Sequence, residues 1–220
     1  MQNTKNIMIV GVGGQGSLLA SRILGAAAMA SGYDVKVSEV HGMSQRGASR
    51  ILGKAVISEG YDVKVSEVHG MSQRGGSVVT YVKYGDKVFS PIIDRGEADM
   101  ILAFEKLEAA RALPYLKEGG TVILNDREIA PMPVITGAAE YPDGLVADIA
   151  AKAKVIAIDA LSLSLEAGSA KAVNVVLIGV LARSSDISKE VWIQTIKDTV
   201  PAKFLDLNLK AFELGYNCGC

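Results

Sequence analysis

Residues 20–47 and 48–75 carry nearly the same 28-residue text, written twice in tandem with 23 identities. The stretch GYDVKVSEVHGMSQRG is repeated letter for letter, at 32–47 and again at 60–75. The five differences (Ala26/Lys54, Ala28/Val56, Met29/Ile57, Ala30/Ser58 and Ser31/Glu59) fall together in the first half of the unit. That half, ASRILGAAAMASG, has helical spacing, and YDVKVSEV after it alternates like a strand. The repeat is therefore a helix–strand–loop unit. Two copies are too few for a solenoid, and nothing else in the chain repeats. The fold must accommodate one supernumerary unit, and removing it leaves 192 residues (220 − 28).

The surrounding pattern says what the unit is inserted into. NIMIVGV is a short apolar run rich in β-branched residues and bounded by glycine, which predicts a buried parallel strand. A helix follows, with Gly32 where a C-terminal glycine belongs. SVVTYVKYG and KVFSP, separated by Gly85 and Asp86, predict a β-hairpin. DMILAFE, GTVILND and AKVIAIDA predict three more strands, and KLEAARALPYLKEG a helix bent or broken at Pro114. From about Ser162 onward LSLEAGS, KAVNVVLIGVLARS, SKEVWIQTIKDTV and PAKFLDLNLKAFELGYN all predict helices. Strands alternating with helices of this length imply an α/β fold: three layers around a mostly parallel sheet, with a β-hairpin and a helical C-terminal segment. No Pro/Gly/Ser linker divides the chain, so residues 1–220 are expected to form a single domain.

Composition narrows the function classes. The formal net charge is −1 and only 5% of residues are aromatic, which leaves neither a cationic face for phosphates nor a stacking surface for bases. No nucleic-acid partner is expected. The longest apolar run, AVNVVLIGVLA, is too short to span a bilayer, and the N-terminus shows no export signal. The two cysteines, Cys218 and Cys220, make no disulfide framework. A cytoplasmic protein without membrane contact is expected. A Cys-x-Cys pair at a chain end falls two ligands short of a structural metal site, so no metal site is expected.

Two stretches carry chemistry. Gly11, Val12, Gly13, Gly14, Gln15 and Gly16 fit G-x-G-x-x-G between a predicted strand and a predicted helix. Glycines there let a ligand approach the amides of a helix N-terminus, so Gly11, Gly13, Gly14, Gln15 and Gly16 are candidate cofactor-binding residues. Glu39 lies 23 residues past Gly16, near the spacing of the ribose-binding acid of dinucleotide folds, so a free-standing NAD(P)-binding oxidoreductase is one reading. Close helix–strand packing is another. The second stretch, SEVHGMSQRGGS, brings Glu67, His69, Ser72, Gln73 and Arg74 together with Gly70, Gly75 and Gly76 at the expected C-terminal end of a strand. Ligands of α/β sheets bind there. His69 titrates near neutrality and suits a proton donor; Arg74 suits a carboxylate or phosphate; the alternative is a polar loop that ties down its neighbours. Asn174 interrupts an apolar helix and needs a hydrogen-bond partner, either in a ligand cleft or at a neighbouring strand end. Trp192 is expected in the core.

GVGGQGSLLASRILG, the repeated stretch running on through SVVTYVKYGDKVFSPII, GEADMILAFEKLEAAR and GGTVILND resemble the β subunit of indolepyruvate:ferredoxin oxidoreductases. That subunit is the γ-type domain of the 2-oxoacid:ferredoxin oxidoreductases. The resemblance covers almost the whole chain, and EVHGMSQRGGSV followed by SP and GEAD is its specific part. The family has the unit once, so the duplication is a departure. The resemblance implies oxidative decarboxylation of an aryl pyruvate with coenzyme A, yielding aryl-acetyl-CoA and reduced ferredoxin. Thiamine diphosphate, Mg2+ and [4Fe-4S] clusters carry such chemistry. Two cysteines cannot supply the four thiolates of a cluster, and no G-D-G…N segment for magnesium diphosphate is present, so this chain is expected to bind none of them alone. A large α subunit is the expected partner. Supporting catalytic roles would fall to Glu67, His69 and Arg74, and binding roles to the glycine loop, Ser72, Gln73, Gly75 and Asn174. Because copy two runs directly into SVVTYVKYG, its strand (61–67) is expected in the family position. Residues near 34–59 would then form an excursion, although both strands can also share one sheet.

Overall fold

The computed structural model describes residues 4–42, 65–70 and 76–219, with 39–42 and 65–70 described by their backbone. Strands β1 (Lys5–Val12), β2 (Asp34–Gly42), β3 (Val65–Gly70), β4 (Ser77–Gly85), β5 (Ala98–Ala103), β6 (Leu116–Asn125) and β7 (Lys154–Ile158) form one sheet in the order β3-β2-β4-β1-β5-β6-β7. Only β4 runs against the rest: β1 and β2 are both antiparallel to it, whereas β2–β3, β1–β5, β5–β6 and β6–β7 are parallel.

Among the described residues the helices are α1 (Ser17–Ala30), α2 (Lys106–Ala112), α3 (Met132–Ile135), α4 (Leu145–Ala150), α5 (Ala160–Ala167), α6 (Val173–Arg183), α7 (Lys189–Thr199) and α8 (Leu205–Asn217). Alternation along β1 divides the core between two faces. Ile7 and Ile9 join Leu24, Val176 and Phe212 on one side, while Met8 and Val10 join Ala109, Ala112 and Ile149 on the other. Helices α1 and α5–α8 thus cover one face, and α2 and α4 the other. The expected three-layer α/β architecture with a mostly parallel sheet and a helical C-terminal segment is present. Trp192 is fully buried, as its helical neighbours imply. Helices α6 and α8 approach closely at Gly179 and Gly215: a methyl group on Gly215 would collide with the Val176 carbonyl oxygen.

Three expectations are corrected. The hairpin is absent: residues 86–97 contain no strand, because β4 is already paired along both edges, by β1 and β2. The Val88 amide instead donates to Asp34 Oδ2 at 2.7 Å. The helix at 106–119 ends at Ala112. Pro114 lies in a 3-10 turn, Leu113–Tyr115, and the chain enters β6 at once, with an irregular register between Ala98/Leu116 and Met100/Thr121.

The third correction concerns the repeat. Copy one's strand, β2, takes the place beside β4, with Asp34 opposite Gly85 and Val40 opposite Val79. Copy two's β3 lies outside it as the edge strand. The α1–β2 connection explains the preference. It is three residues long, turns at Gly32 (φ 85°), and sets Val37 Cγ2 3.5 Å from where a Cβ on Gly25 would stand. A strand delivered by so short a loop costs less closure entropy than one reached through a further 28 residues. Copy two then adds in register, a parallel pairing that its identical sequence favours.

Candidate functional site

The C-terminal ends of β1, β5, β6 and β7 and the N-terminal end of β4 meet at one edge of the sheet. The glycine loop follows β1 there. Gly14 (φ 91°) and Gly16 (φ 85°) take left-handed backbone, which lets the chain turn from strand into α1 within four residues. Gly14 is exposed and a Cβ on it would meet nothing within 4 Å, so the loop tip is open. No side chain caps the first turn of α1 and no acid lies within it. Its amides suit an anion or an acceptor group.

The rest of the loop is held from below. Gln15 turns inward: its Oε1 accepts from Val12 N at 2.6 Å and its Nε2 donates to the Phe104 carbonyl at 3.3 Å. That carbonyl also accepts from Asn125 Nδ2, while Asn125 Oδ1 accepts from Ala160 N at 3.0 Å. One amide network therefore links the ends of β1, β5, β6 and the start of α5. Asn174, 4% exposed, donates from Nδ2 to Gly16 O at 3.4 Å and accepts from Val175 N. It ties α6 to the loop. Gly13 N donates to Gly76 O, which joins the glycine loop to the residue that ends the second polar loop.

Beside the loop lie residues that the sequence patterns did not single out. Glu105, buried after β5, caps α2 by accepting from Leu107 N and Glu108 N, and accepts from the Tyr141 hydroxyl at 3.0 Å. Burial raises its carboxyl above the usual range despite the two backbone donors. The Tyr141 hydroxyl is likewise pushed up, by burial first and by Glu105 second. Glu108, also buried, accepts from Ser77 Oγ and from Arg111 Nη1 at 2.6 Å. Lys106 reaches Glu128 at 2.7 Å and Asp126 at 3.1 Å, and Glu128 above all holds its ammonium raised. The signal in the sequence was positional: Phe104-Glu105 and Asn125-Asp126 each end an apolar strand with polar groups at the sheet edge where ligands bind.

The backbone positions of 67 and 69 stand apart from the glycine loop. Glu67 and His69 are on the outermost strand, three strand steps or about 14 Å from β1. Their duplicates Glu39 and His41 are on β2, one step closer. Ser72, Gln73, Arg74 and Gly75 lie outside the described residues.

The sequence model of the pyruvate ferredoxin/flavodoxin oxidoreductase family matches residues 6–50 and again 47–218, two segments that meet inside the repeat. The chain belongs to that family. Curated relatives named as indolepyruvate oxidoreductase subunit IorB match over nearly the whole chain. Those of Pyrococcus horikoshii and Thermococcus kodakarensis are each 41% identical over 216 residues, covering 96% of this chain and 93% of theirs. That of Archaeoglobus fulgidus is 37% identical over 217. Among solved structures, the γ subunit of a keto/oxoacid ferredoxin oxidoreductase from Geobacter sulfurreducens superposes with a TM-score of 0.62 at 21% identity. The match covers 96% of both chains, a likeness of fold. A pyruvate oxidoreductase subunit from Thermotoga maritima gives 0.61 at 18%.

The strand order also weighs against the dinucleotide reading of the family's glycine loop. In a dinucleotide fold the strand bearing the ribose-binding acid lies directly beside β1. Here antiparallel β4 is interposed, which puts Glu39 two strand steps, about 10 Å, from β1.

Proposed function

We propose that the chain is the small subunit of an indolepyruvate ferredoxin oxidoreductase. In that role it takes part in CoA-dependent oxidative decarboxylation of aryl 2-oxoacids to aryl-acetyl-CoA, with ferredoxin as electron acceptor. The observation that carries the reading is 41% identity over 96% of the chain to proteins named as indolepyruvate oxidoreductase subunits. Thiamine diphosphate, Mg2+ and [4Fe-4S] clusters do not fit the residues of this chain. It has two cysteines, and among the described residues no three His, Cys, Asp or Glu side chains form a metal-binding group. A large α subunit therefore supplies them, in the cytoplasm, where this chain acts as one domain beside it.

The chain's own contribution is to bind and orient. The open tip at Gly13, Gly14 and Gly16 presents α1's first-turn amides to an anionic group of coenzyme A or of the 2-oxoacid, with Gly11 and Gln15 holding its shape. Ser72, Gln73, Arg74 and Gly75 add hydrogen bonds and one fixed cation, and Glu67 and His69 hold or pass a proton. Glu105 and Tyr141 keep the loop's neighbour rigid. Co-expression with the large subunit is expected to give indolepyruvate-dependent ferredoxin reduction that neither chain supports alone. Equal reduction by the isolated chain, or a native partner without iron–sulfur absorbance, would overturn the proposal. Gly14→Asp, which adds a negative charge at the open tip, is expected to raise KM for coenzyme A or the oxoacid with kcat little changed.

A further inference from the structure

At the end of the sheet away from the glycine loop lies a cleft of about 430 Å3. Its floor is a cross-strand row in which Met100 of β5, Thr121 of β6 and Lys154 of β7 are register partners. Ile7 of β1 continues the row, so the floor belongs to the face that α6 and α8 cover. The wall is formed where those two helices end, by Val180 and Arg183 of α6, its cap Ser184, and Cys218, which caps α8. β7 is the outermost strand on this side, and Lys154 at its start is exposed. Along β6 the floor at Thr121 is four residues, about 13 Å, from Asn125, whose amide belongs to the network under the glycine loop. The cleft is therefore a separate place in the fold.

Its charge is one-sided. Lys154 and Arg183 line it, and none of its lining residues is acidic. Arg183 donates from Nη1 to the Cys218 carbonyl at 2.6 Å, which fixes the guanidinium and leaves it further N–H donors to offer. Lys154 has no hydrogen-bond or ion-pair partner among the described residues. The two helix ends contribute about half a negative charge each, so two cations leave about one positive charge uncompensated. Asp99 and Asp186 line a smaller cavity that shares Met100 and Ser184, but both are engaged. Asp99 holds Lys117 and the Asn6 amide, and Asp186 accepts from the Tyr84 hydroxyl at 3.1 Å. The hydroxyls of Thr121 and Ser184 add donors that rotate to suit a ligand. Met100, Ile156 and Val180 make another side of the cleft apolar. A bare inorganic anion would leave that side unfilled, whereas an anion with an apolar body matches both sides. We propose that this cleft binds a small organic carboxylate, its anionic end held by Lys154 and Arg183 and its apolar body against Met100, Ile156 and Val180.

Binding is read on the full-length chain by isothermal titration calorimetry with phenylacetate. Phenylacetamide removes the charge, acetate removes the ring, and inorganic phosphate supplies an anion alone. One phenylacetate per chain is expected, with each of the other three bound at least about 5-fold more weakly. Lys154→Gln should weaken phenylacetate binding about 5-fold. It breaks no contact among the described residues, so its circular dichroism should match that of the wild type. Arg183→Gln should weaken binding by at least as much, and Gly14→Asp should leave it unchanged. The absence of saturable phenylacetate binding overturns the proposal. So does phosphate or phenylacetamide binding as tightly, or an undiminished affinity in Lys154→Gln. Affinity lost in Gly14→Asp would place the ligand at the glycine loop and overturn it equally.

Discussion

Gly16→Ala tests how the glycine loop is built. Gly16 has φ 85°, a backbone that costs an alanine roughly 1–2 kcal/mol. The added methyl would also stand 2.6 Å from Asn174 Nδ2, 3.1 Å from its Cγ and 3.3 Å from its Cβ. Asn174 is not free to swing aside. It is buried in the first turn of α6, and both ends of its amide bond to backbone, at Gly16 O and Val175 N. Moving it forfeits two hydrogen bonds at about 1 kcal/mol each. The sum is about 3 kcal/mol, a fall of about 1 M in the urea midpoint for an unfolding slope of about 3 kcal/mol/M. Asn174→Ala alone should cost about 1–2 kcal/mol. In the double variant the amide collision is gone, so its cost should be less than the sum of the two singles by about 1 kcal/mol or more. Denaturation of all four proteins, followed by circular dichroism, measures the cycle. A Gly16→Ala cost below about 1 kcal/mol, or strict additivity, would refute the claim that Asn174 anchors the loop through Gly16.

Gly215→Ala should separate α6 from α8 and cost about 3 kcal/mol, seen as a drop in Tm; an unchanged Tm would mean the helices are not held at that approach. Disulfide trapping reads which copy lies beside β4. In a chain freed of its native cysteines, Val40→Cys with Val79→Cys should cross-link under equilibrium redox conditions, because these positions are cross-strand partners. Val68→Cys with Val79→Cys should not, because two strand steps put them about 10 Å apart; efficient cross-linking there would give the slot to copy two. Glu105 supplies a pH signature. Burial raises its carboxyl above the usual 4.5, so its contribution to stability is complete below that value and is lost as pH rises through the elevated one. The stability advantage of wild type over Glu105→Gln should therefore shrink as pH rises above 4.5; an advantage that grows with pH would show the carboxyl is not raised.

What was legible in the sequence follows from the range of the forces involved. Apolar runs such as NIMIVGV and VVLIGVLA report burial on their own, so the layers, the core helices and the glycine turn could be read locally. The hairpin at 86–91 was misread because KVFSP has strand-like residues but β4 had no edge left to offer, a fact of sheet order that no local pattern contains. The site divides the same way. G-x-G-x-x-G announced the loop, yet Glu105, Asn125 and Tyr141, which build its surroundings, converge from separate elements of the chain. The repeat is the limiting case. Two segments with identical letters have identical local preferences, so sequence alone cannot rank them for one slot. The ranking is made by connection length: the three residues between α1 and β2 place copy one before copy two can compete. By the same logic, deleting residues 48–75 removes, among the described residues, the edge strand alone and rejoins Gly47 to Gly76, restoring an uninterrupted HGMSQRGGS between β2 and β4. The shortened chain should keep its fold and, with the large subunit, at least the activity of the duplicated one. If it is less active, the second loop serves the reaction from the outer strand, and the edge of the sheet, not the place beside β4, is where His69 and Arg74 work.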